Sequence, residues 1–166
     1  MKVVYSDLKN KRVFLSGGGS GIGATIVEHF CEQKSEVYFI DIDLKSSKKL
    51  IKKIKKKGYR VPKFIECNIL DVKKLQNIIK DIISKKGAIH CLINSAANDD
   101  RHTTEQVDEK YWENRMGINL KHYFFAAQAV VKGMKKIKSG SIVNLSSVSW
   151  MLGEGDKVVY ETAKSA

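Results

Sequence analysis

The sequence predicts an α/β fold, in which a parallel sheet carries helices on both of its faces. Short runs of β-branched and aromatic residues alternate with longer helical patterns along all 166 residues. The strand-like runs are continuously hydrophobic and do not alternate with polar residues, as expected when both faces of a sheet are covered. Because no linker or internal repeat interrupts this order, we expect residues 1–166 to form a single domain.

Five strand patterns follow one another, each separated from the next by a helical pattern. The runs RVFLS, EVYFI and SIVNL are the clearest, since β-branched and aromatic residues dominate them. The predicted strands span residues 12–16, 36–40, 61–66, 88–93 and 141–145. Helices are predicted over residues 22–33, 44–60, 72–84 and 105–136, the last as one or two helices, and again from residue 158. A doubly wound dinucleotide-binding sheet usually has about six strands, so this one is expected to be incomplete at its C-terminal edge.

The net charge of +12 comes almost entirely from lysine and is densest in the helix predicted over residues 44–60. Leu44, Leu50, Ile51 and Ile54 keep a helical apolar stripe there, so the lysines are interpreted as a solvated helix face. The alternative is a surface for nucleic acid or anionic membrane. Few aromatic residues are interleaved with the lysines, which argues against single-strand binding. We therefore expect no specific nucleic acid and no membrane partner.

The remaining composition excludes several classes of protein. Cys31, Cys67 and Cys91 are odd in number and lack metal-ligand spacing, so neither a disulfide framework nor a metal site is expected. The apolar runs are too short to span a bilayer, and the start of the chain does not resemble a signal peptide. A cytoplasmic location follows as the expectation.

The segment SGGGSGIG, residues 16–23, lies where the first strand ends and the first helix begins. Glycines at this point permit a tight turn, and the helix N-terminus offers free N–H groups to a pyrophosphate. Asp41 ends the second strand, where a carboxylate can bind an adenosine ribose and repel a 2′-phosphate. Because Ser20 has no basic neighbour in the loop, NAD is favoured over NADP. An ordinary strand–helix turn is the alternative, and the missing P-loop lysine after Gly23 argues against nucleotide hydrolysis.

Four polar residues follow this loop in an order that indicates acid–base chemistry. Asn119 lies in a helix, Ser147 follows the fifth strand, and Tyr160 and Lys164 are four residues apart on one helix face. A free tyrosine titrates near pH ~10, but a nearby ammonium favours the phenolate. Tyr160 could then accept a hydroxyl proton while hydride leaves the same carbon. Taken singly, Tyr160 and Lys164 are equally compatible with an ordinary helix and a surface cation.

The combined motifs resemble the short-chain dehydrogenase/reductase family. SGGGSGIG is similar to its cofactor loop, with Ser16 where threonine is usual, and INSAA at residues 93–97 is similar to its Asn-Asn-Ala-Gly segment. YETAK matches its Tyr-x-x-x-Lys motif, and Asn68 stands where an aspartate usually lies near the adenine. The resemblance departs at Ser95 and Ala97, which replace an asparagine and a glycine.

The resemblance implies a Rossmann-like domain with NAD as cofactor, and homo-oligomeric full-length relatives. It implies that Lys164 also binds the nicotinamide ribose. The implied catalytic residues are Asn119, Ser147, Tyr160 and Lys164. The implied cofactor-binding residues are Gly17, Ser20, Gly21, Ile22, Gly23, Asp41, Asn68, Ile69, Asn94, Ala96, Tyr160 and Lys164.

Residues 98–102 (NDDRH) and 119–130, with the stretch around Ser147, are similar to NAD-dependent sugar 1-dehydrogenases. That resemblance implies a small-molecule substrate, and specifically oxidation of an aldose such as xylose, arabinose or galactose. Polar groups on loops at the carboxyl edge of the sheet could bind the sugar, and Trp150 could stack on its ring. These groups are Asn98, Asp99, Asp100 and Glu154. Alternatively, they cap helices and form salt bridges with Arg101.

The family pattern continues beyond Tyr-x-x-x-Lys, so the resemblance implies a chain truncated within the catalytic helix. Three functions are compatible with it: a sugar dehydrogenase from a truncated record or split gene, an inactive NAD-binding fragment, and a basic interaction protein that reuses the fold. An exposed edge at the fifth strand is expected to lower the solubility of the isolated chain.

Overall fold

The computed structural model describes residues 3–166. Its strands are β1 (Arg12–Ser16), β2 (Glu36–Asp41), β3 (Lys63–Glu66), β4 (Cys91–Asn94) and β5 (Ser141–Asn144). Its helices are α1 (Gly21–Glu32), α2 (Leu44–Lys56), α3 (Val72–Lys86), α4 (Glu109–Met116), α5 (His122–Lys136), α6 (Ser149–Leu152) and α7 (Val158–Ser165). Short 3₁₀ turns lie at Ser6–Leu8 and Thr104–Gln106, and a π-helical segment, Gly117–Lys121, joins α4 to α5.

The five strands form one parallel sheet in the order β3-β2-β1-β4-β5. β1 lies at the centre, and Ser16 at its end is paired with Ile40 on one side and Asn94 on the other. The strand order therefore reverses between β1 and β4, which is the place where ligands bind in open α/β sheets. The predicted doubly wound parallel sheet is confirmed.

Two hydrophobic clusters lie on opposite faces of this sheet because neighbouring residues of a strand point in opposite directions. Val13 and Leu15 of β1 pack in one cluster together with side chains of α1 and α2, such as Val27 and Ile54. Phe14 packs in the other cluster, together with side chains of α3 and α5. Both faces of β1 are fully buried, which explains its continuous hydrophobicity.

Two strands begin later than the sequence pattern suggested. β3 starts at Lys63 and not at residue 61, and Pro62 has no N–H to donate to a strand ladder. β4 starts at Cys91 and not at residue 88. The residues before it bind Arg12: the Ala88 carbonyl accepts from Arg12 Nε at 2.9 Å, and His90 Nδ1 accepts from the Arg12 backbone N–H at 3.0 Å.

The lysine-rich helix α2 is amphipathic, as its stripe predicted, but the stripe is shorter than expected. Leu50 and Ile54 are buried, whereas Leu44 at the first position of the helix is 40% exposed. Lys53 and Lys57 form ion pairs with the Glu28 carboxylate of α1, and the Lys53 pair has an N–O distance of 2.7 Å. Part of the basic face of α2 therefore serves to attach it to α1.

The predicted helical region 105–136 is divided by a change in helix type. The Asp108 carboxylate caps α4 by accepting the N–H of Tyr111 at 2.7 Å. The π-helical segment then buries Gly117 and Asn119 before α5 begins.

β5 is one of the two edge strands of the sheet, and its Ile142 and Val143 are 39% and 40% exposed.

Candidate active site

A cavity of about 670 Å³ lies at the carboxyl ends of the strands, next to the reversal of strand order. Its wall includes the glycine loop, the end of β2, the segment after β4, and side chains of α7. The predicted site residues in its wall are Gly17, Ser20, Gly21, Ile22, Gly23, Asp41, Asn68, Ile69, Ala96, Tyr160 and Lys164. Residues far apart in the sequence thus meet at one site.

The glycine loop leaves room for a ligand at the N-terminus of α1. A Cβ on Gly23 would lie 1.9 Å from the Gly17 carbonyl oxygen, so only glycine allows α1 to pack this closely on the loop. Gly21 has φ +53°, and a Cβ there would meet no described atom within 4 Å. Among the described contacts, Ser20 makes no side-chain cap, and the first turn of α1 has no acidic residue. The first N–H groups of α1 are therefore suited to an anion.

Each oxygen of the Asp41 carboxylate accepts a hydrogen bond from a backbone N–H. Its Oδ2 accepts the N–H of Gly19 at 2.8 Å, and its Oδ1 accepts the N–H of Asp43 at 2.8 Å. A carboxylate oxygen can accept more than one hydrogen bond. The Asp41 side chain can therefore accept hydroxyl groups from a ligand in the cavity without giving up these bonds.

Asn68 and Ile69 form the wall beyond Asp41. Asn68 is exposed, and its Oδ1 accepts the N–H of Leu70 at 3.0 Å, while Ile69 is buried. The Asn68 amide therefore keeps its NH₂ group available to the cavity, and Ile69 offers an apolar surface.

The segment after β4 is held by Ser16, whose hydroxyl oxygen accepts the N–H groups of Ser95 and Ala96 at 3.2 and 3.3 Å. Asn94 takes a different place from the predicted one. Its Nδ2 donates to Asn144 Oδ1 at 2.8 Å, so the side chain is buried between β4 and β5 and is not in the cavity wall formed by the described residues. The position of Asn94 is that of a sheet residue.

The four predicted catalytic residues do not all reach the cavity. Tyr160 and Lys164 are in its wall, whereas Asn119 is fully buried behind it. Asn119 Oδ1 accepts the N–H of Asn98 at 2.8 Å, and its Nδ2 donates to the Asn98 carbonyl at 3.0 Å. Ser147 Oγ forms a hydrogen bond with Ser149 Oγ at 2.9 Å, outside the described cavity wall.

Lys164 is almost completely buried, and its Nζ lies 5.8 Å from the centre of the Tyr160 ring. Nζ donates to the Leu145 carbonyl at 2.7 Å and to the Tyr123 hydroxyl oxygen. Burial lowers the pKa of the Lys164 ammonium from 10.5 to about 8, because the charged form is poorly solvated there. Lys164 is thus a cation that loses its proton more readily than a surface lysine.

Tyr123 is a hydrogen-bond partner of Lys164 that the sequence did not indicate. It lies in the apolar stretch at the start of α5, which predicts a core position, and its ring is indeed buried. Its hydroxyl nevertheless donates to the Leu145 carbonyl at 3.0 Å and also contacts Lys164 Nζ. Burial raises the pKa of this phenol, so Tyr123 stays neutral. The separation of 41 residues from Lys164 explains why no local pattern revealed it.

Only some of the residues expected to contact a sugar lie in the wall of the main cavity. Asn98 and Asp99 are in the cavity wall. The Asp100 carboxylate instead accepts from Arg115 Nη2 at 2.9 Å, and Glu154 pairs with Lys157. The alternative interpretation named Arg101 as the salt-bridge partner, but Asp100 pairs with Arg115. Trp150 lies in the wall of a second cavity of about 410 Å³, near the end of α7.

A model of the short chain dehydrogenase family matches residues 11–166. This chain belongs to the short-chain dehydrogenase family. The cavity that contains both the glycine loop and the Tyr160–Lys164 pair is consistent with that membership.

Individual relatives of this short-chain dehydrogenase include sugar dehydrogenases. A D-xylose 1-dehydrogenase of Caulobacter vibrioides is 40% identical over 163 residues, which are 98% of this chain and 63% of the relative. The "Probable galactose dehydrogenase GalD" of Rhizobium meliloti is 38% identical over 161 residues, 97% of this chain and 63% of that protein. This chain therefore spans 63% of the length of these relatives.

Among solved structures, the aldohexose dehydrogenase of Thermoplasma acidophilum in ligand-free form is similar, with a TM-score of 0.83 and 27% sequence identity. The similarity covers 97% of this chain and 58% of that structure. Within residues 3–166 of this short-chain dehydrogenase, no cluster of three or more His, Cys, Asp or Glu side chains could hold a metal ion. No helix in the described part of the chain has the length and apolar character needed to cross a bilayer.

Proposed function

We propose that this chain binds NAD and carries the acid–base pair of a sugar dehydrogenase that oxidises an aldose at its anomeric carbon. The observation that carries the proposal is the shared cavity, in which Asp41 and the N-terminus of α1 face the same space as Tyr160 and Lys164. The names of the xylose and galactose dehydrogenase relatives support the substrate class.

The residues present fit a dinucleotide. The uncapped N-terminus of α1 and the open space beside Gly21 suit the pyrophosphate, and Asp41 suits the hydroxyl groups of the adenosine ribose. A 2′-phosphate would face the Asp41 carboxylate, so NAD is favoured over NADP. When bound, the nicotinamide ring supplies the hydride acceptor.

In the proposed reaction, Tyr160 takes the proton of the substrate hydroxyl. The ammonium of Lys164, 5.8 Å from the ring, favours the negative charge that develops on the phenol. The family resemblance supports a role for Ser147 in holding the substrate oxygen, which would require its hydroxyl to leave Ser149 and reach the cavity. Asn119 is proposed to orient Asn98, since both halves of its amide bind the Asn98 backbone. Asn98 and Asp99 offer hydrogen bonds to sugar hydroxyls from the same wall.

A second candidate function is NAD binding without turnover. It is favoured by the position of Lys164, whose Nζ is held by Tyr123 and the Leu145 carbonyl. It is compatible with the same cofactor site, so a binding measurement and a turnover measurement separate the two candidates.

The test uses the purified 166-residue chain. NADH binding is followed by its fluorescence, and oxidation of D-xylose, L-arabinose and D-galactose by NAD is followed at 340 nm. We expect NADH to bind at least about 10-fold more tightly than NADPH, because the 2′-phosphate meets a carboxylate. Turnover that disappears in Tyr160→Phe supports the first candidate, while NADH binding without turnover supports the second. Failure to bind NADH would refute both.

A further inference from the structure

Helix α7, which carries Tyr160, lacks a cap from its own sequence. Its N-cap residue is Lys157, whose side chain makes no capping hydrogen bond to any described residue and pairs with Glu154 instead. The first N–H groups of a helix have no acceptor within the helix. Any acceptor for these groups must therefore come from another part of the chain.

His102 supplies the missing acceptor from 57 residues away. The backbone N–H of Val159, in the first turn of α7, donates to His102 Nε2 at 3.3 Å. Both residues are buried, with His102 6% exposed, so water does not replace this bond easily. Val159 directly precedes Tyr160. A side chain outside α7 thus caps the turn that carries the proposed acid–base group.

The other ring nitrogen of His102 is held as well. Nδ1 lies 2.8 Å from the Tyr111 hydroxyl oxygen and 3.1 Å from the Asp100 carbonyl oxygen. Because Nε2 accepts a hydrogen bond, the proton of the neutral ring is on Nδ1, which faces these two acceptors. The Tyr111 ring also packs on the imidazole with centroids 4.9 Å apart. The tautomer that caps α7 is the one that its surroundings select.

The backbone of His102 reinforces the same connection. Its N–H donates to the Asp156 carbonyl at 2.7 Å. Asp156 has φ +64°, a left-handed conformation that side-chain-bearing residues rarely adopt. Hydrogen bonds from surrounding residues are what keep such a conformation in place. The approach to α7 and its first turn are therefore both attached to the same residue.

Residues 98–102 connect this cap to the cavity. Asn119 binds the backbone of Asn98 at one end of the segment, and His102 binds α7 at the other. Asn98 and its neighbour Asp99 are in the cavity wall. We propose that His102 is a positioning residue that caps the first turn of α7 and so fixes Tyr160 relative to the cavity wall at Asn98. The inference rests on the proposed function only in taking Tyr160 as the acid–base group.

Native-state hydrogen exchange on the 166-residue chain tests the proposal without requiring turnover. The shorter amide of His102→Asn can take the place of Nδ1 but does not reach the position of Nε2. His102→Leu has no polar atom in either position. We expect both to speed exchange of the Val159 amide, and of the Glu161 amide that donates to the Lys157 carbonyl, about 3- to 30-fold relative to the amides of β1. This is the range that loss of a helix cap produces, about 3- to 30-fold. In His102→Gln the amide oxygen can lie where Nε2 lies, so exchange should return to within about 3-fold of the wild type.

A second measurement uses only the wild-type chain and so does not depend on whether the variants fold. The ¹⁵N shifts of His102 in the wild-type chain should show a protonated Nδ1 and an unprotonated, hydrogen-bonded Nε2. The opposite tautomer would overturn the proposal. So would equal acceleration of β1 and α7 amides in the variants, which would mean that His102 supports the whole fold and not α7. Absence of NADH binding by the wild type would refute the proposed function, yet these two measurements would still decide the role of His102.

Discussion

Replacing Lys164 with methionine should change how the stability of the chain depends on pH. Burial lowers the pKa of this ammonium from 10.5 to about 8, so between these values the unfolded chain holds more protons than the folded one. The free energy of unfolding therefore rises with pH through this window, and below pH 8 the whole cost of burying the charge is present. The shift corresponds to about 3 kcal/mol, which we reduce to about 2 kcal/mol because the open cavity lets solvent screen the charge.

Urea unfolding from pH 7 to 10.5, followed by the fluorescence of Trp112 and Trp150, measures the effect. The difference in unfolding free energy between wild type and Lys164→Met isolates this residue, since the other titrating groups are common to both chains. We expect the difference to change by about 2 kcal/mol across the window, in favour of the wild type at high pH. Replacing the exposed Lys55 with methionine is the matched control for the loss of one lysine outside the site.

Parallel curves for the wild type and Lys164→Met would refute the reasoning. They would mean that the hydrogen bonds from Nζ to Leu145 and Tyr123 stabilise the ammonium enough to cancel the cost of its burial. Lys164 would then titrate like an exposed lysine. A difference that changed in the opposite direction would mean that the folded chain raises the affinity of this amine for its proton.

Three further substitutions test the site and the core. Gly23→Ala should cost about 1–3 kcal/mol in urea unfolding and weaken NADH binding, because its Cβ would overlap the Gly17 carbonyl; Gly155→Ala, which has open space around it, should do neither. Asp41→Ala should weaken NADH binding about 10-fold or more and reduce the discrimination against NADPH in fluorescence titrations, whereas unchanged discrimination would remove Asp41 from the ribose site. Ile54→Ala should cost about 2–5 kcal/mol, against less than about 1 kcal/mol for the exposed Leu44→Ala in the same helix, and equal losses would contradict the packing of α2 described above.

The parts of the fold that local patterns determine were predictable from the sequence. The strand RVFLS is hydrophobic at successive positions because both of its faces are covered, and this pattern shows in the sequence without any tertiary information. The position of Asp41 at the end of β2 follows in the same way, since the strand before it is clearly marked. Tyr160 and Lys164 share a helix face by their spacing alone.

What the sequence did not predict depends on contacts between distant residues. The orientation of Asn94 is decided by Asn144 on the neighbouring strand, 50 residues away. The contact of Tyr123 with Lys164 requires α5 and α7 to meet, which no period in the sequence encodes. The start of β4 was misplaced because the Arg12 side chain and backbone bind residues 88–90, a contact between neighbouring strands.

The π-helical segment Gly117–Lys121 limits which insertions and deletions this chain tolerates. A π turn holds an additional residue compared with an α turn, so the helix after it is rotated by about 100° relative to an uninterrupted α-helix. With that rotation, Asn119 faces Asn98 while Tyr123, Ala126 and Val130 of α5 still face the interior. Deleting a single residue here would restore a regular helix and leave both faces in place, because the π turn accommodates that additional residue. Among homologous chains, we therefore expect a one-residue deletion to be tolerated better within these five residues than within α4 or α5, where it would turn one face outward.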